Sequence, residues 1–349
     1  MSNIYVPRNG KLRRIRDGVD INFPSSAPVT TIRFPGDPGS GKMYIGANNG
    51  STTGTFAGYP VSWFDDRVYG ASSTKAHGTV REYAQTLLIP SDDRTRLDSW
   101  TSEGRVPMYS LKTSPWSLTD ISNGSANSQI DSNINFVKTL SGNVWMTFFH
   151  EPEDNFLANG PAGSTAAEYR TAFRYIINRF KSAGVINVAW ISPFFMCPWT
   201  FVSASGRDWR NWHPNWNGSS WAYDLIDIDG VDLYNPDVSI SATDRNKSWT
   251  TAAAEFLNKR ASDGAKALPW CIGEFGVSTY YDTLNDNGTT ATQIFSDMVN
   301  IGAATQNLVG VAAWNSDEFR YDDTNDPTGE KVAGWKAISN HTRVVGVTR

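Results

Sequence analysis

The sequence predicts an α/β protein, a single (β/α)8 TIM barrel that carries a short N-terminal extension. Three observations predict it: the 349-residue length, the alternation of short apolar runs with longer helical patterns, and the presence of eight such runs. A barrel of roughly 250–300 residues plus an extension accounts for the length. Eight parallel strands close a barrel, whereas an open sheet has no such preferred number.

The first 40 residues differ in composition from the rest of the chain. They are rich in Pro, Gly, Ser and Arg, contain weak strand-like pieces such as Thr30–Phe34, and end in the run Pro35–Gly41, which reads PGDPGSG. Pro and Gly in such density mark loops and linkers. We therefore predict an extension or linker over residues 1–40 and one (β/α)8 barrel domain over residues 41–349.

The apolar runs place the strands, and the periodicity between them places the helices. In Ala166–Ala183 the apolar residues recur at three- and four-residue spacing, as in an amphipathic helix. Further helices are predicted over Ser91–Glu103, Ser128–Leu140, Thr250–Ala261 and Thr290–Ala304. The predicted strands are, in order, Met43–Ala47, Val80–Leu87, Val106–Leu111, Val144–Phe149, Val188–Ser192, Ile228–Leu233, Trp270–Phe275 and Val309–Trp314.

Composition narrows the class of partner. Aromatic residues make up 13% of the chain, and its 14 Trp offer flat apolar faces that suit the C–H faces of sugars, although a large core also uses them. A net charge of −4 argues against nucleic acid. No apolar run approaches the length of a membrane span, and no signal peptide is visible at the N-terminus. We expect no membrane partner and a monomer.

Two acidic residues end apolar strands. Glu151 follows Val144–Phe149 in the predicted fourth strand, and Glu274 lies in the seventh, in the sequence WCIGEFG. A carboxylate in such a position must be paired, solvated by a pocket or functional, because burying it alone is expensive. Two converging carboxylates can cleave a glycosidic bond: one protonates the leaving oxygen, and the other attacks the anomeric carbon or activates water. Glu153 and Asp154 are acidic alternatives to Glu151.

The segments FFHEPEDN and WCIGEFG resemble the fourth- and seventh-strand motifs of clan A glycoside hydrolases. Most of that clan has Asn before the fourth-strand Glu, whereas this chain has His150, which resembles glycoside hydrolase family 26, best known for β-mannanases. The resemblance implies a retaining mechanism with Glu151 as acid/base and Glu274 as nucleophile. The continuation Pro152–Asp154 departs from the commonest mannanase pattern, which bears on the substrate more than on the reaction.

The resemblance also implies substrate-binding residues. His150 would hydrogen-bond near the sugar or the nucleophile, and Trp314, which ends the eighth strand, would form a platform for the sugar. Tyr234 follows the sixth strand and could donate to the nucleophile. The long aromatic loop Pro198–Ala222 is expected at the catalytic face, where Trp199 and Trp212 are the candidates for substrate contact. Core packing is the alternative for His150, Tyr234 and each Trp.

The remaining sequence patterns argue against other chemistries. The four His have no metal-ligand spacing, and neither a G-x-S-x-G elbow nor a phosphate-binding Gly motif follows a strand. We therefore expect no metal and no cofactor, and an endo-acting polysaccharide hydrolase that works outside the cell or on a larger particle. The alternative is a non-catalytic carbohydrate-binding or receptor-binding barrel of a larger assembly, such as a phage tail.

Overall fold

Parallel strand pairing organises the barrel of this chain. A computed structural model describes residues 5–8, 11–14, 20–21, 34–50, 60–153, 164–197, 208–235, 249–277, 291–314 and 329–349. Three short strands precede the barrel and form a separate antiparallel sheet in the order β1-β2-β3: β1 Tyr5–Arg8, β2 Lys11–Arg14 and β3 Asp20–Ile21. The sequence prediction of a strand-like piece at Thr30–Phe34 falls mostly outside the described residues.

The barrel strands follow one another in the sheet in chain order. They are β4 Met43–Asn48, β6 Thr79–Tyr83, β7 Val106–Leu111, β8 Val144–Phe148, β9 Val188–Trp190 with β10 Phe195–Cys197, β11 Asp229–Asn235, β12 Trp270–Val277 and β13 Leu308–Ala313. Two further strands, β5 Lys75–His77 and β14 Val344–Thr348, pair antiparallel with each other, and β14 also pairs with β4. All eight predicted strands are present, which confirms the predicted fold class.

The barrel closes through its fifth strand, which is split in two. β9 pairs with β8 on one side, and β10 pairs with β11 on the other. Between the two halves, Ile191 forms a parallel bridge with Ile228, and the Ser192 N–H donates to the Ile228 carbonyl at 2.8 Å. The single predicted strand Val188–Ser192 is therefore the first half of a longer, interrupted strand.

Helices cover the outside of the barrel. The clearest is α5, Ala166–Ser182, where a capping box between Thr165 and Glu168 starts the helix and an apolar stripe, including Tyr169 and Phe173, is buried against the strands. The last predicted helix begins with α8, Ala291–Asp297, and continues as a π-helical segment, Met298–Ala303. The helices are α1 Val61–Tyr69, α2 Ser91–Ser102, α3 Leu118–Ser122, α4 Asn127–Val137, α5 Ala166–Ser182, α6 Trp209–Trp212, α7 Trp249–Ser262, α8 Ala291–Asp297 and α9 Glu330–Ser339.

Large side chains fill the barrel interior, and a glycine on the facing strand leaves the room that they need. Trp145 and Met108 are fully buried there, and a Cβ on Gly310 would lie 2.7 Å from the Trp145 ring and 2.6 Å from Met108 Cε. Phe34 joins this cluster, and the Trp145 Nε1–H donates to the Pro35 carbonyl at 3.0 Å. The predicted boundary at residue 40 stays a prediction, but Phe34 and Pro35 already pack with the barrel.

Two further findings concern the described part of the chain. None of its helices is both long enough and apolar enough to cross a membrane. Cys271 is a buried free thiol in β12, inside the barrel cluster. The side chain of Cys197 lies outside the described residues.

Candidate active site

Three carboxylates converge where the barrel strands end. One oxygen each of Glu151, Asp232 and Glu274 lie within 4.8 Å of one another. Glu151 follows β8, Asp232 lies in β11, and Glu274 lies in β12. Asp232 pairs with Glu274 on the neighbouring strand. A register shift between Val231 and Asp232 precedes this pair, and such an irregularity changes the direction in which the following side chains point. The sequence singled out Glu151 and Glu274, and the structure brings them together.

Two tyrosines hold the Glu274 carboxylate, one on each oxygen. The Tyr83 hydroxyl donates to Oε1 at 2.7 Å, and the Tyr234 hydroxyl donates to Oε2. Donors on both oxygens suit an ionised carboxylate and fix its orientation. Tyr234 was a sequence candidate, whereas Tyr83 was not. A signal for Tyr83 existed, since it lies at the end of the second strand in the polar sequence Arg81-Glu82-Tyr83.

An unusual backbone conformation sets the position of Glu151. Phe149 and Glu151 have φ angles of 57° and 48°, in the left-handed region that side chains other than Gly rarely adopt. Neighbouring strands hold the turn in place: the Phe149 N–H donates to the Leu111 carbonyl at 2.7 Å, and the Glu151 N–H donates to the Phe194 carbonyl at 2.8 Å. Hydrogen bonds from both sides thus stabilise a strained turn that carries the carboxylate.

Asp232 is the most deeply buried of the three carboxylates. It is 0% exposed, and neither of its oxygens has a hydrogen-bond partner. Burial raises the pKa of Asp232 well above its usual value, and the charges of Glu274 and Glu151 raise it further, while Arg81 acts in the opposite direction. A carboxyl group in this environment retains a proton that exposed aspartates lose.

Arg81 brings a buried positive charge close to the carboxylates. It is fully buried in β6, and its Nη1–H donates to the carbonyls of Glu82 and Met108 at 3.2 and 3.3 Å. Its guanidinium lies 4.0 Å from the Tyr83 ring and 4.5 Å from the Phe194 ring, while Nε and Nη2 have no hydrogen-bond partner. Such a charge offsets part of the repulsion among the three acids.

Two more basic side chains approach the site. Lys112 follows β7, and its ammonium lies 5.3 Å from the Phe149 ring; burial lowers its pKa, although the charges of Glu151 and Glu274 oppose this. His150 packs edge-on against Tyr83 with ring centres 5.0 Å apart. Burial, together with Arg81 and Lys112, lowers the pKa of His150 well below its usual value. His150 is therefore a neutral imidazole beside the acids.

The predicted aromatic residues divide into different locations. Trp314 directly follows β13 and packs edge-on against Tyr83 with ring centres 5.9 Å apart, so it borders the carboxylate cluster. Trp199 lies outside the described residues. Trp212 is 3% exposed and packs edge-on against Tyr169 of α5. The prediction that Trp212 contacts substrate is therefore wrong, because a ring enclosed by the core has no free face for a sugar.

The aromatic loop is also more buried than its sequence suggests. Trp209 is 1% exposed, and its Nε1–H donates to Asp263 at the end of α7. Trp221 donates to the Asp263 carbonyl at 2.8 Å. The described part of this loop, residues 208–222, thus packs against the outer helices rather than over the carboxylates. Of the acidic alternatives to Glu151, Glu153 is 1% exposed and is not one of the three converging acids, and Asp154 lies outside the described residues.

The same three carboxylates are the one group in the described residues with the spacing of a metal site. Two features weigh against this use. Both oxygens of Glu274 already accept hydrogen bonds from tyrosines, and a buried guanidinium, that of Arg81, lies close enough to lower the pKa of Asp232. A proton shared among the acids meets the same electrostatic need as a cation.

Comparisons with known proteins give a consistent answer at the level of fold. No protein-family model and no curated protein matches the sequence. A glycoside hydrolase family 26 β-mannanase from Bacteroides ovatus has a similar structure, with a TM-score of 0.54 and 16% identity over 88% of this chain and 90% of that chain. The catalytic domain of a family 26 endo-β-1,4-mannanase from Bacillus sp. JAMB-750 gives 0.55 and 15%, over 87% of each chain.

A third structure extends the same result. A double mutant of the Cellulomonas fimi endo-β-1,4-mannanase gives a TM-score of 0.56 at 13% identity, over 89% of this chain and 73% of that chain. Identities this low establish a shared fold and leave the chemistry to the residues of the site. The chain has the (β/α)8 barrel fold of family 26 β-mannanases, as the resemblance of its two strand-end motifs predicts.

Proposed function

We propose that this chain is a retaining glycoside hydrolase that cleaves a β-linked polysaccharide, with Glu151 as acid/base and Glu274 as nucleophile. The observation that carries the proposal is the separation of the two carboxylates, whose nearest oxygens lie within 4.8 Å. Retaining enzymes place the two groups about 5–5.5 Å apart, whereas inverting enzymes leave about 6.5–9.5 Å for a water molecule between nucleophile and sugar. The short separation favours direct attack by a carboxylate.

The reaction would proceed in two displacements. In the first, a Glu274 oxygen bonds to the anomeric carbon, the glycosidic C–O bond breaks, and the Glu151 proton passes to the leaving oxygen. In the second, Glu151 takes a proton from water, whose oxygen bonds to the anomeric carbon as the bond to Glu274 breaks. Both partners return to their starting protonation states, and the product keeps the configuration of the substrate.

The surrounding side chains suit these roles. The hydroxyls of Tyr83 and Tyr234 orient the nucleophile, and a protonated Asp232 lets Glu274 carry its charge without a second charge beside it. His150, a neutral imidazole next to the proposed acid/base, would hydrogen-bond a sugar hydroxyl. Trp314 beside Tyr83 offers an apolar surface at the same end of the barrel.

The substrate class that we propose is taken from the proteins that share the fold rather than from the site. The solved structures that share the fold include β-mannanases from three bacteria, so β-mannan or a related β-linked glycan is the first substrate to test. An endo-acting enzyme needs a cleft open at both ends. A panel of mannans, xylans, β-glucans and bacterial surface glycans, with product sizes followed over time, identifies both the polymer and the mode of action.

The test of the mechanism uses two carboxylate variants and an aryl glycoside of the sugar that the panel identifies. We expect Glu274→Ala to lower kcat by at least about a thousandfold, and azide, which can occupy the vacated space, to restore turnover with inversion. Glu151→Ala should still release a good leaving group such as dinitrophenolate, because that group needs no proton. In this variant azide should accelerate turnover and give the product of retained configuration.

The alternative of a non-catalytic carbohydrate-binding barrel makes a different prediction. Such a protein binds a glycan of the panel but hydrolyses none, and neither carboxylate variant changes what it releases. Hydrolysis that survives in Glu274→Ala without azide would instead refute the nucleophile assignment. Sensitivity of the activity to a chelator, reversed by a divalent cation, would favour a metal at the three carboxylates.

A further inference from the structure

A second pocket lies far from the three carboxylates, near the other end of β11. It encloses about 290 Å³. One of its walls is Asp229, the first residue of β11, about 10 Å along the strand before Asp232 at the usual rise per residue. Asp229 pairs with Arg260 of α7, so the pocket lies on the outer side of the barrel wall. No step of the proposed reaction uses it.

Aromatic rings form one side of this distal pocket. Trp221 lines the pocket, and two neighbouring rings hold it in place. The centre of its ring lies 5.2 Å from that of Trp209 and 5.1 Å from that of His213. Tyr223 is 45% exposed, one of the few large apolar side chains in the described residues that face solvent. The guanidinium of Arg174 lies 4.1 Å from the Tyr223 ring and covers one face of it. Two rings, one fixed and one open, thus border a concave space.

Polar groups at the base of the distal pocket are already oriented. Asp229 accepts from His213 Nε2 at 3.1 Å and from Arg260 Nη1 at 2.8 Å, one donor on each oxygen, so each oxygen retains a lone pair for a further donor. The Asn215 side-chain oxygen accepts from the N–H groups of Leu225 and Ile226. The NH2 group of the same side chain is therefore the donor that could hydrogen-bond to a ligand.

Two ion pairs lie at the distal pocket. At the rim, Lys266 pairs with Asp224 at 3.0 Å, and both side chains are more than half exposed. At the base, Asp229 pairs with Arg260 at 2.8 Å. The two pairs add no net charge to the pocket, and Arg174 brings one positive charge to the outer side, where it covers the Tyr223 ring. Aromatic faces next to paired carboxylates, an amide and an ammonium group match a neutral ligand that has apolar C–H faces and many hydroxyls.

We propose that the distal pocket is a second, non-catalytic binding site for a glycosyl residue of a polysaccharide. Its volume fits one or two sugar rings, with Tyr223 and Trp221 against their apolar faces and Asp224, Asp229, Asn215 and Lys266 on their hydroxyls. Because it lies beside the first residue of β11 and its lining includes none of the three carboxylates, it holds a different stretch or a different chain of the polymer. Such a site keeps the protein on an insoluble glycan between catalytic events. The proposal goes beyond the proposed function, and its test does not require hydrolysis.

The test measures binding to insoluble mannan, cellulose and xylan by depletion from solution, using Glu274→Gln to prevent cleavage. We expect Tyr223→Ala in that background to weaken binding to one of these polymers about five- to tenfold, the range of an aromatic contact. The double variant Asp224→Ala/Lys266→Ala, which preserves net charge, should weaken it as well. Both sets of side chains are exposed, so folding is not at risk.

Two controls separate the distal pocket from its surroundings and from the active site. Ile186→Ala removes another exposed apolar side chain, 86% accessible and outside the pocket, and should leave binding unchanged. Tyr223→Ala alone should retain the kcat/KM of the unaltered chain on a short soluble substrate while losing activity on the insoluble polymer. Binding to all three polymers that is unchanged by Tyr223→Ala and by the double variant would overturn the proposal. Loss of hydrolysis without loss of binding would concern the proposed function only.

Discussion

At the scale of single residues, Asp232 is a side chain that the fold accommodates at a cost in stability. A fully buried carboxyl group without a hydrogen-bond partner is normally replaced by an apolar residue or given a partner. Here it lies between two other acids, and its pKa is raised by burial and by their charge. Groups with strongly perturbed pKa values concentrate at functional sites, which supports a role in the proposed reaction.

This cost predicts the effect of Asp232→Asn on stability. Because folding raises the pKa of Asp232, its favourable contribution is complete only below the unfolded value near 4, and it is lost as the pH rises toward the folded value. Asn has nearly the same shape as Asp and stays neutral throughout. We expect the variant to be about 1–3 kcal/mol more stable than the unaltered chain at pH 7, with the difference vanishing near pH 4.

Urea unfolding between pH 4 and pH 8 measures this difference directly. Asp224→Asn is the matched control, since that carboxylate is 71% exposed and its replacement should leave the pH dependence unchanged. Parallel stability curves for Asp232→Asn and the unaltered chain would show that Asp232 is ionised in the folded protein without penalty.

At the scale of elements, the end of β8 shows how a regular strand leads into the turn that carries Glu151, the proposed acid/base. The strand stops at Phe148, and the next three residues include two with positive φ. The turn is held in this conformation because two backbone carbonyls accept hydrogen bonds from its N–H groups: that of Leu111 in β7 and that of Phe194, just before β10. Strain of this kind persists only where the surroundings impose it, and it concentrates at functional sites.

The turn predicts an order of stability among variants of Glu151. At a φ of 48°, Ala suffers the same steric penalty as Glu, whereas Gly does not. We therefore expect the free energy of unfolding of Glu151→Gly to exceed that of Glu151→Ala by about 1 kcal/mol, although both variants lack the carboxylate proposed as acid/base. Thermal unfolding of the two variants side by side tests this. The reverse order would mean that residue 151 leaves the left-handed region in solution.

At the scale of the whole molecule, a buried network around His77 joins the beginning of the barrel to its end. His77 in β5 lies with Nδ1 2.6 Å from Asp65 Oδ1, and Arg105 Nη2 donates to Asp65 Oδ2 at 2.7 Å. From α9, the Trp335 Nε1–H donates to His77 Nε2 at 3.1 Å. A donor on Nε2 requires that this nitrogen carry no proton, so the imidazole is neutral with its proton on Nδ1.

This network makes global stability sensitive to acid. Burial lowers the pKa of His77, with Arg105 and Arg349 adding to the effect and Asp65 opposing it. The unfolded chain takes up a proton near pH 6.5 that the folded chain accepts only at lower pH, so this contribution to stability is complete above pH 6.5 and falls below it. His150 contributes with the same sign. We expect a loss of about 1–2 kcal/mol per pH unit between pH 6 and pH 5.

Guanidinium unfolding as a function of pH measures this slope. His77→Gln should be less stable than the unaltered chain at pH 8, because the network is broken, but should show a visibly flatter slope below pH 6.5. His341→Gln, at a partly exposed position, is the control and should leave the slope unchanged. An equal slope in His77→Gln would place the acid sensitivity elsewhere.

The sequence predicted most of the fold and, within the carboxylate site, Glu151, Glu274 and Tyr234. Short apolar runs predicted all eight barrel strands, because a strand buried on both faces has little choice of residue. Glu151 and Glu274 stood out because a carboxylate interrupts such a run. Tyr83 and Arg81 did not, since polar residues near a strand end are common and nothing local indicates which carboxylate they will meet. Trp212 was misassigned because a buried Trp and a sugar-binding Trp have the same sequence signature.

What the sequence determined by itself is the barrel, through apolar periodicity, and the identity of the two acids, through their positions at strand ends. Only the tertiary structure shows that Asp232 lies beside the two acids and that the hydroxyls of Tyr83 and Tyr234 both donate to the Glu274 carboxylate. It also shows that Glu151 has a backbone conformation in the left-handed region. It also placed the aromatic loop against the outer helices, around a second pocket. Periodicity is a property of neighbours in the chain, whereas distance, burial and charge at a site depend on side chains that only barrel closure brings together.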